Sequence, residues 1–74
     1  MNILYFGQLV DITKTEREEL MDVKDLNALK ILLEEKYPSL KDKAYIFSVN
    51  QKIAQKASLN NEDEVALMPP FSGG

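Results

Sequence analysis

Gly73 and Gly74 stand at the C-terminal end of the sequence, directly after Met68-Pro69-Pro70-Phe71-Ser72, and residues of these types in this order point to acyl chemistry. A terminal carboxylate carried on two residues without side chains is sterically open. It can thread a narrow channel, be activated, for instance as an adenylate, and then be attacked. The two prolines bias Met68 to Pro70 toward extended polyproline geometry, so the segment projects instead of folding back. Phe71 offers an apolar anchor for a partner's groove. Gly74 is therefore the candidate reactive residue, and Pro69, Pro70, Phe71, Ser72 and Gly73 are the candidate partner-binding residues. A frayed end is the ordinary explanation of a terminal Gly-Gly pair. Here the pair follows a strand, a stiffener and an aromatic residue, which favours a working tail.

No other part of the chain competes for that role. Cysteine and histidine are both absent, so there is no thiolate, no disulfide framework, and neither the commonest metal ligand nor the commonest general base. The carboxylates do not form the acidic, glycine-centred loop that calcium takes, and no metal site is expected. Nine Lys and Arg against twelve Asp and Glu leave a net charge of −3, which repels a nucleic-acid backbone and suits a basic or neutral protein partner. Glu62, Asp63 and Glu64 are placed to steer such a partner, although a solvated turn explains them more simply. No apolar run approaches the ~20 residues that span a bilayer, and no basic-then-apolar leader opens the chain, so the expected location is the cytoplasm, away from membranes.

The elements that must present the tail can be read from the N-terminus. At 74 residues the chain is one domain, and a domain of that size buries only roughly 60% of the surface its unfolded chain exposes. Asn2 to Gln8 is a strand by composition, with Leu4 and Phe6 expected inward, Tyr5 keeping its hydroxyl wet, and Gly7 marking a bulge or a close approach of another backbone. Leu9 to Glu18 reads as a long exposed connection, followed by weak strand signal at Glu18 to Met21. Asp22 caps a helix from Val23 to about Lys36, with Asp25 in its positive N-terminal field. Val23, Leu26, Leu29, Leu33 and Tyr37 form its apolar stripe, and Pro38 ends it.

Beyond a polar link at Lys41-Asp42-Lys43, Ala44 to Val49 is a strand with Phe47 and Val49 inward, closed by a turn at Asn50-Gln51-Lys52. Ile53 to Ala57 forms a short edge strand that Lys52 and Lys56 protect from further pairing. Leu59 enters the core before the turn Asn60 to Asp63. Glu64 to Met68 is the last strand, with Val65 and Leu67 inward, and the sheet stops at Pro69. The order implies an α+β fold, a mixed sheet of about five strands with one main helix across one face. Residues 1–68 form the domain and residues 69–74 the extended tail.

Leu4-Tyr5-Phe6-Gly7-Gln8-Leu9, Lys36-Tyr37-Pro38, Val49-Asn50-Gln51 and above all the run from Asp63 to Gly74 resemble the molybdopterin synthase small-subunit family. The similarity covers essentially the whole chain, and its last dozen residues are the most specific part. The resemblance implies the ubiquitin-like β-grasp fold and a sulfur carrier for molybdenum cofactor biosynthesis. It implies that an ATP-dependent adenylyltransferase related to ubiquitin-activating enzymes adenylates Gly74, that sulfur transfer makes a thiocarboxylate, and that the tail enters a large catalytic subunit. There the thiocarboxylate gives sulfur to cyclic pyranopterin monophosphate to build the dithiolene of molybdopterin.

On this reading the chain is not catalytic alone. It binds no cofactor, and the activating enzyme uses the ATP. Val10 departs from the arginine many members carry nearby, which puts any contact made by that arginine in doubt. Three alternatives stay open: a sulfur carrier for thiamine or tRNA thiolation, a ubiquitin-like protein modifier, and a binding domain with an inert tail.

Overall fold

The computed structural model of the protein describes residues 1–70. Five strands and two α-helices follow in the order β1 (Asn2–Tyr5), α1 (Leu9–Thr13), β2 (Arg17–Glu19), α2 (Leu26–Lys36), β3 (Ile46–Val49), β4 (Lys52–Ala54) and β5 (Glu64–Met68), with a 3-10 turn at Pro38–Asp42 after α2. The strands form one mixed sheet in the order β2-β1-β5-β3-β4. The first and last strands lie side by side and parallel at its centre, Ile3 opposite Val65 and Tyr5 opposite Leu67, and every other pairing is antiparallel. This mixed sheet with helices on one face is the ubiquitin-like β-grasp arrangement.

The core lies between the sheet and α2. Ile3, Tyr5, Phe47, Val65 and Leu67 face Leu26, Leu29 and Leu33 of the helix, and Leu9, Leu40 and Leu59 close the sides. Because side chains alternate along a strand, choosing Ile3 and Tyr5 for the core sends Leu4 and Phe6 to the opposite face. The inward placement expected for Leu4 and Phe6 is thus overturned: Phe6 is 47% exposed and Tyr5 is buried. Tyr5 does not need water because its hydroxyl donates to Glu18. Val65, Leu67 and Phe47 are buried as expected, while Val49 is only partly covered.

The stretch expected to be an exposed connection instead holds α1. Leu9 and Thr13, one helical turn apart, are both buried, and the Lys14 N–H donates to Val10 O at 2.8 Å in a left-handed C-cap at φ 63°. The helix α2 starts three residues later than Val23. Asp22 has φ 63°, outside the extended conformation an N-cap takes, and its N–H donates to Asn61 Oδ1 at 2.8 Å. Asp25 is extended and accepts from Ala28 N–H at 2.8 Å, so the capping role passes to it. Val23 is buried from the preceding extended link. Pro38 ends α2 as expected but opens the 3-10 turn, which buries Leu40 and takes in Lys41 and Asp42 of the expected polar link. The strand β2 lies at Arg17–Glu19, ahead of the expected position.

Candidate functional site

The root of the tail is built by β5. Val65 and Leu67, both fully buried, fix this strand between β1 and β3. Pro69 and Pro70 follow and are exposed. Without an N–H, neither proline can extend the ladder, and the sheet stops at Met68. The remaining expected site residues, Phe71, Ser72, Gly73 and Gly74, lie outside the described residues.

Around that root the structure gathers residues that sequence reasoning left apart. The Phe6 N–H donates to Leu67 O at 3.1 Å, carrying the β1–β5 ladder one step past Tyr5. Gly7 then turns the chain at φ 60°, and a Cβ built on it would lie 2.9 Å from Pro69 Cγ and 3.4 Å from Cδ. The close approach expected at Gly7 is therefore real, but the group that approaches is the proline ring at the base of the tail. Phe6 and Met68 alternate to the same open face of the sheet, where Ile46 pairs with Met68 and Leu4 with Ala66. An apolar strip consequently runs along the uncovered face to the base of the tail. A signal for it was present, since β1 is apolar on both alternations.

A second cluster stiffens the opposite edge. Glu18 on β2 accepts from the hydroxyl of Tyr5 on β1, from the Tyr37 hydroxyl at 2.9 Å and from Lys36 Nζ at 2.5 Å, both at the end of α2. Burial alone would raise the Glu18 pKa, but the hydrogen bonds from Lys36, Tyr5 and Tyr37 outweigh it and hold the carboxylate below its ordinary value. Burial, then the neighbouring carboxylate, push both tyrosines above their ordinary value, so the cluster holds two neutral phenols, one carboxylate and one ammonium. Its polar groups satisfy one another, which makes it a clamp between strand, strand and helix.

Asn50 and Asp63 hold the far end of β5 in the same manner. Asn50 Nδ2 donates to Asp63 Oδ1 at 3.0 Å, and the Glu64 N–H donates to Asn50 Oδ1 at 3.0 Å. Hydrogen bonds from Asn50 and from the Asn60 N–H keep the Asp63 pKa low. Asp63 thus closes the turn before β5, and Glu62 and Glu64 flank it.

Among the described residues no group of three or more His, Cys, Asp or Glu side chains is placed to hold a metal ion, and no helix is long and apolar enough to cross a membrane. The candidate surface thus consists of exposed Pro69 and Pro70, an apolar sheet face beside them, and two polar clamps that fix the strands beneath.

Comparison with known proteins agrees with this architecture. The ThiS family model matches residues 3–74. The molybdopterin synthase sulfur carrier subunit of Mycobacterium tuberculosis (strain ATCC 25618 / H37Rv) is 38% identical, with 100% of this chain and 96% of that protein covered. The human molybdopterin synthase sulfur carrier subunit is 30% identical over 100% of this chain and 93% of its own length. Among solved structures, a protein–protein complex of subunits 1 and 2 of molybdopterin-converting factor from Helicobacter pylori 26695 contains a chain with the same fold. Its TM-score is 0.70 at 23% identity, covering 99% of this chain and 96% of that one. With a family model spanning almost the whole chain and curated relatives matching it end to end, this chain belongs to the ThiS family.

Proposed function

We propose that this chain is the sulfur carrier subunit of a molybdopterin synthase, with residues 1–68 as the handle and residues 69–74 as the working tail. The observation that carries the reading is the end-to-end similarity to curated sulfur carrier subunits, on a fold whose central strand runs straight into exposed Pro69 and Pro70. The Gly74 carboxylate attacks the α-phosphorus of ATP on a separate adenylyltransferase, releasing pyrophosphate and forming an acyl adenylate. Hydrosulfide then attacks the acyl carbon, the carbon–oxygen bond to AMP breaks, and a thiocarboxylate is left. In the large subunit that sulfur passes to cyclic pyranopterin monophosphate.

The chain's own contribution is presentation. It brings no general base and no resident cofactor, and the catalytic side chains belong to the large subunit. Pro69, Pro70, Phe71, Ser72 and Gly73 make the contacts that guide Gly74, and the apolar strip of Leu4, Phe6, Ile46 and Met68 lies against the partner beside them. An apolar patch of this kind suits a protein interface.

Intact-mass spectrometry of the protein isolated from its native cell tests the reading. A fraction carrying one sulfur in place of one oxygen supports it. A protein found only as high-mass conjugates that survive reduction belongs to a modifier and overturns it.

A further inference from the structure

A groove of about 780 Å³ opens between α2 and β4, on the flank away from the Glu18 cluster. Leu26 and Phe47 lie within it, Lys30 on α2 forms one wall, and Ala54 and Lys56 form the other. One end is closed where the chain after β4 returns to α2. There the Leu26 N–H donates to Ala57 O at 3.0 Å, and the Leu59 N–H donates to Lys24 O at 2.8 Å.

The strand along its rim has an open edge. Among the described residues β4 is outermost in the sheet and pairs with β3 alone. The two strands meet at a two-residue turn, Asn50-Gln51, with φ 50° and 71°, the left-handed pair of a type I′ turn. In such a hairpin the flanking pair, Val49 and Lys52, exchanges both hydrogen bonds, and so does the pair two residues on, Phe47 and Ala54. Ile53 lies between them, so its N–H and C=O point outward, and its side chain is 60% exposed. An edge of this kind is a template for another strand.

Charge selects which strand. Residues 43–58 contain Lys43, Lys52 and Lys56 and no acidic residue, whereas the rest of the chain has six basic and twelve acidic residues. Residues 43–58 therefore carry +3 against −6 on the rest of the chain, with Lys52 in the hairpin and Lys56 just beyond it. Nearby carboxylates are hydrogen-bonded: Asp25 caps α2 through Ala28 N–H, Glu34 accepts from the Tyr45 hydroxyl at 2.6 Å, and Asp63 accepts from Asn50 in the hairpin turn at 3.0 Å. A second copy of β4 would set lysines against lysines, which disfavours self-pairing. An acidic strand meets no such opposition.

We propose that the β4 edge and the α2–β4 groove form a docking site for an extended acidic segment of a partner protein. The segment adds as a strand beside β4, its carboxylates on one alternation turn to the groove side and meet Lys30, Lys52 and Lys56, and its apolar side chains on the other alternation lie beside Ile53 on the opposite face. The proposal is independent of the chemistry of Gly74.

The test is a titration of the isotope-labelled full chain, followed by NMR, with a short blocked peptide in which valine alternates with glutamate. The control peptide replaces glutamate by lysine. Saturable shifts confined to Lys30, Phe47 and residues 52–56 are expected, with the glutamate peptide at least about tenfold tighter at low salt. Combining Lys30→Glu with Lys56→Glu is expected to reverse that preference while leaving the rest of the spectrum unchanged, and a chain lacking residues 69–74 is expected to bind as well as the full chain. Equal affinity for the two peptides, shifts centred on Phe6 and Met68, or no saturable shift at all would each overturn the proposal.

Discussion

The ring of Pro69 packs so closely on Gly7 that a Cβ at residue 7 would lie 2.9 Å from Pro69 Cγ. The turn after β1 and the root of the tail are thereby fitted to one another, and the fit depends on a glycine at φ 60°. Gly7→Ala is expected to lose about 1–2 kcal/mol from the left-handed conformation alone, with the contact adding to it. In a domain of this size that corresponds to a fall of roughly 5–15 °C in melting temperature. A variant that melts with the parent would contradict the contact.

Glu18 supports two tyrosines and a lysine, so removing it strands more than one partner. Glu18→Ala leaves the buried Tyr5 hydroxyl without an acceptor, and the expected loss is about 1–3 kcal/mol by urea denaturation. Adding Tyr5→Phe to that variant should restore part of the loss, because removing both partners costs less than leaving one unpaired. Strictly additive losses would show that the two residues are not coupled.

The same cluster sets the response to pH. The folded pKa of Glu18 is depressed, so its contribution is complete above the unfolded carboxylate value of about 4.3 and is lost as pH falls through the lower folded value. The hydrogen bond that Lys36 donates to Glu18 raises the folded pKa of Lys36, and burial first, then Glu18, raises those of Tyr5 and Tyr37. Their contributions are present below the unfolded values of about 10 and are lost as pH rises through the higher folded values. Urea midpoints are expected to be flat from about pH 5 to pH 9 and to fall on either side, with a shallower acid limb in Glu18→Ala. A midpoint that rises below pH 4 would contradict this.

How much was legible in the sequence depended on whether local pattern or distant partners decided. The stripe of Leu26, Leu29 and Leu33 and the alternation of Val65 and Leu67 are local, and each sits in the core as expected. The face of β1 was not, because both alternations are apolar and the deciding acceptor, Glu18, lies thirteen residues from Tyr5. Asp22 was expected to cap α2 with Asp25 only in its N-terminal field, and the left-handed backbone of Asp22 and the extended one of Asp25 move the cap to Asp25. The five residues of α1 are too few for a helical period to emerge. At the candidate site, the exposure of Pro69 and Pro70 followed from their chemistry, whereas the fit of Pro69 to Gly7 required the parallel pairing of β1 with β5.

The central claim is that sulfur travels on Gly74. Its most direct measurement is tandem mass spectrometry of the C-terminal peptide after incubation of the chain with the adenylyltransferase, ATP and a sulfur donor, alongside molybdopterin formation when the large subunit is added. The exchange of one oxygen for sulfur should map to Gly74, and deletion of Gly74 should abolish both the exchange and product formation. A chain without Gly74 that still supports molybdopterin formation would contradict the claim.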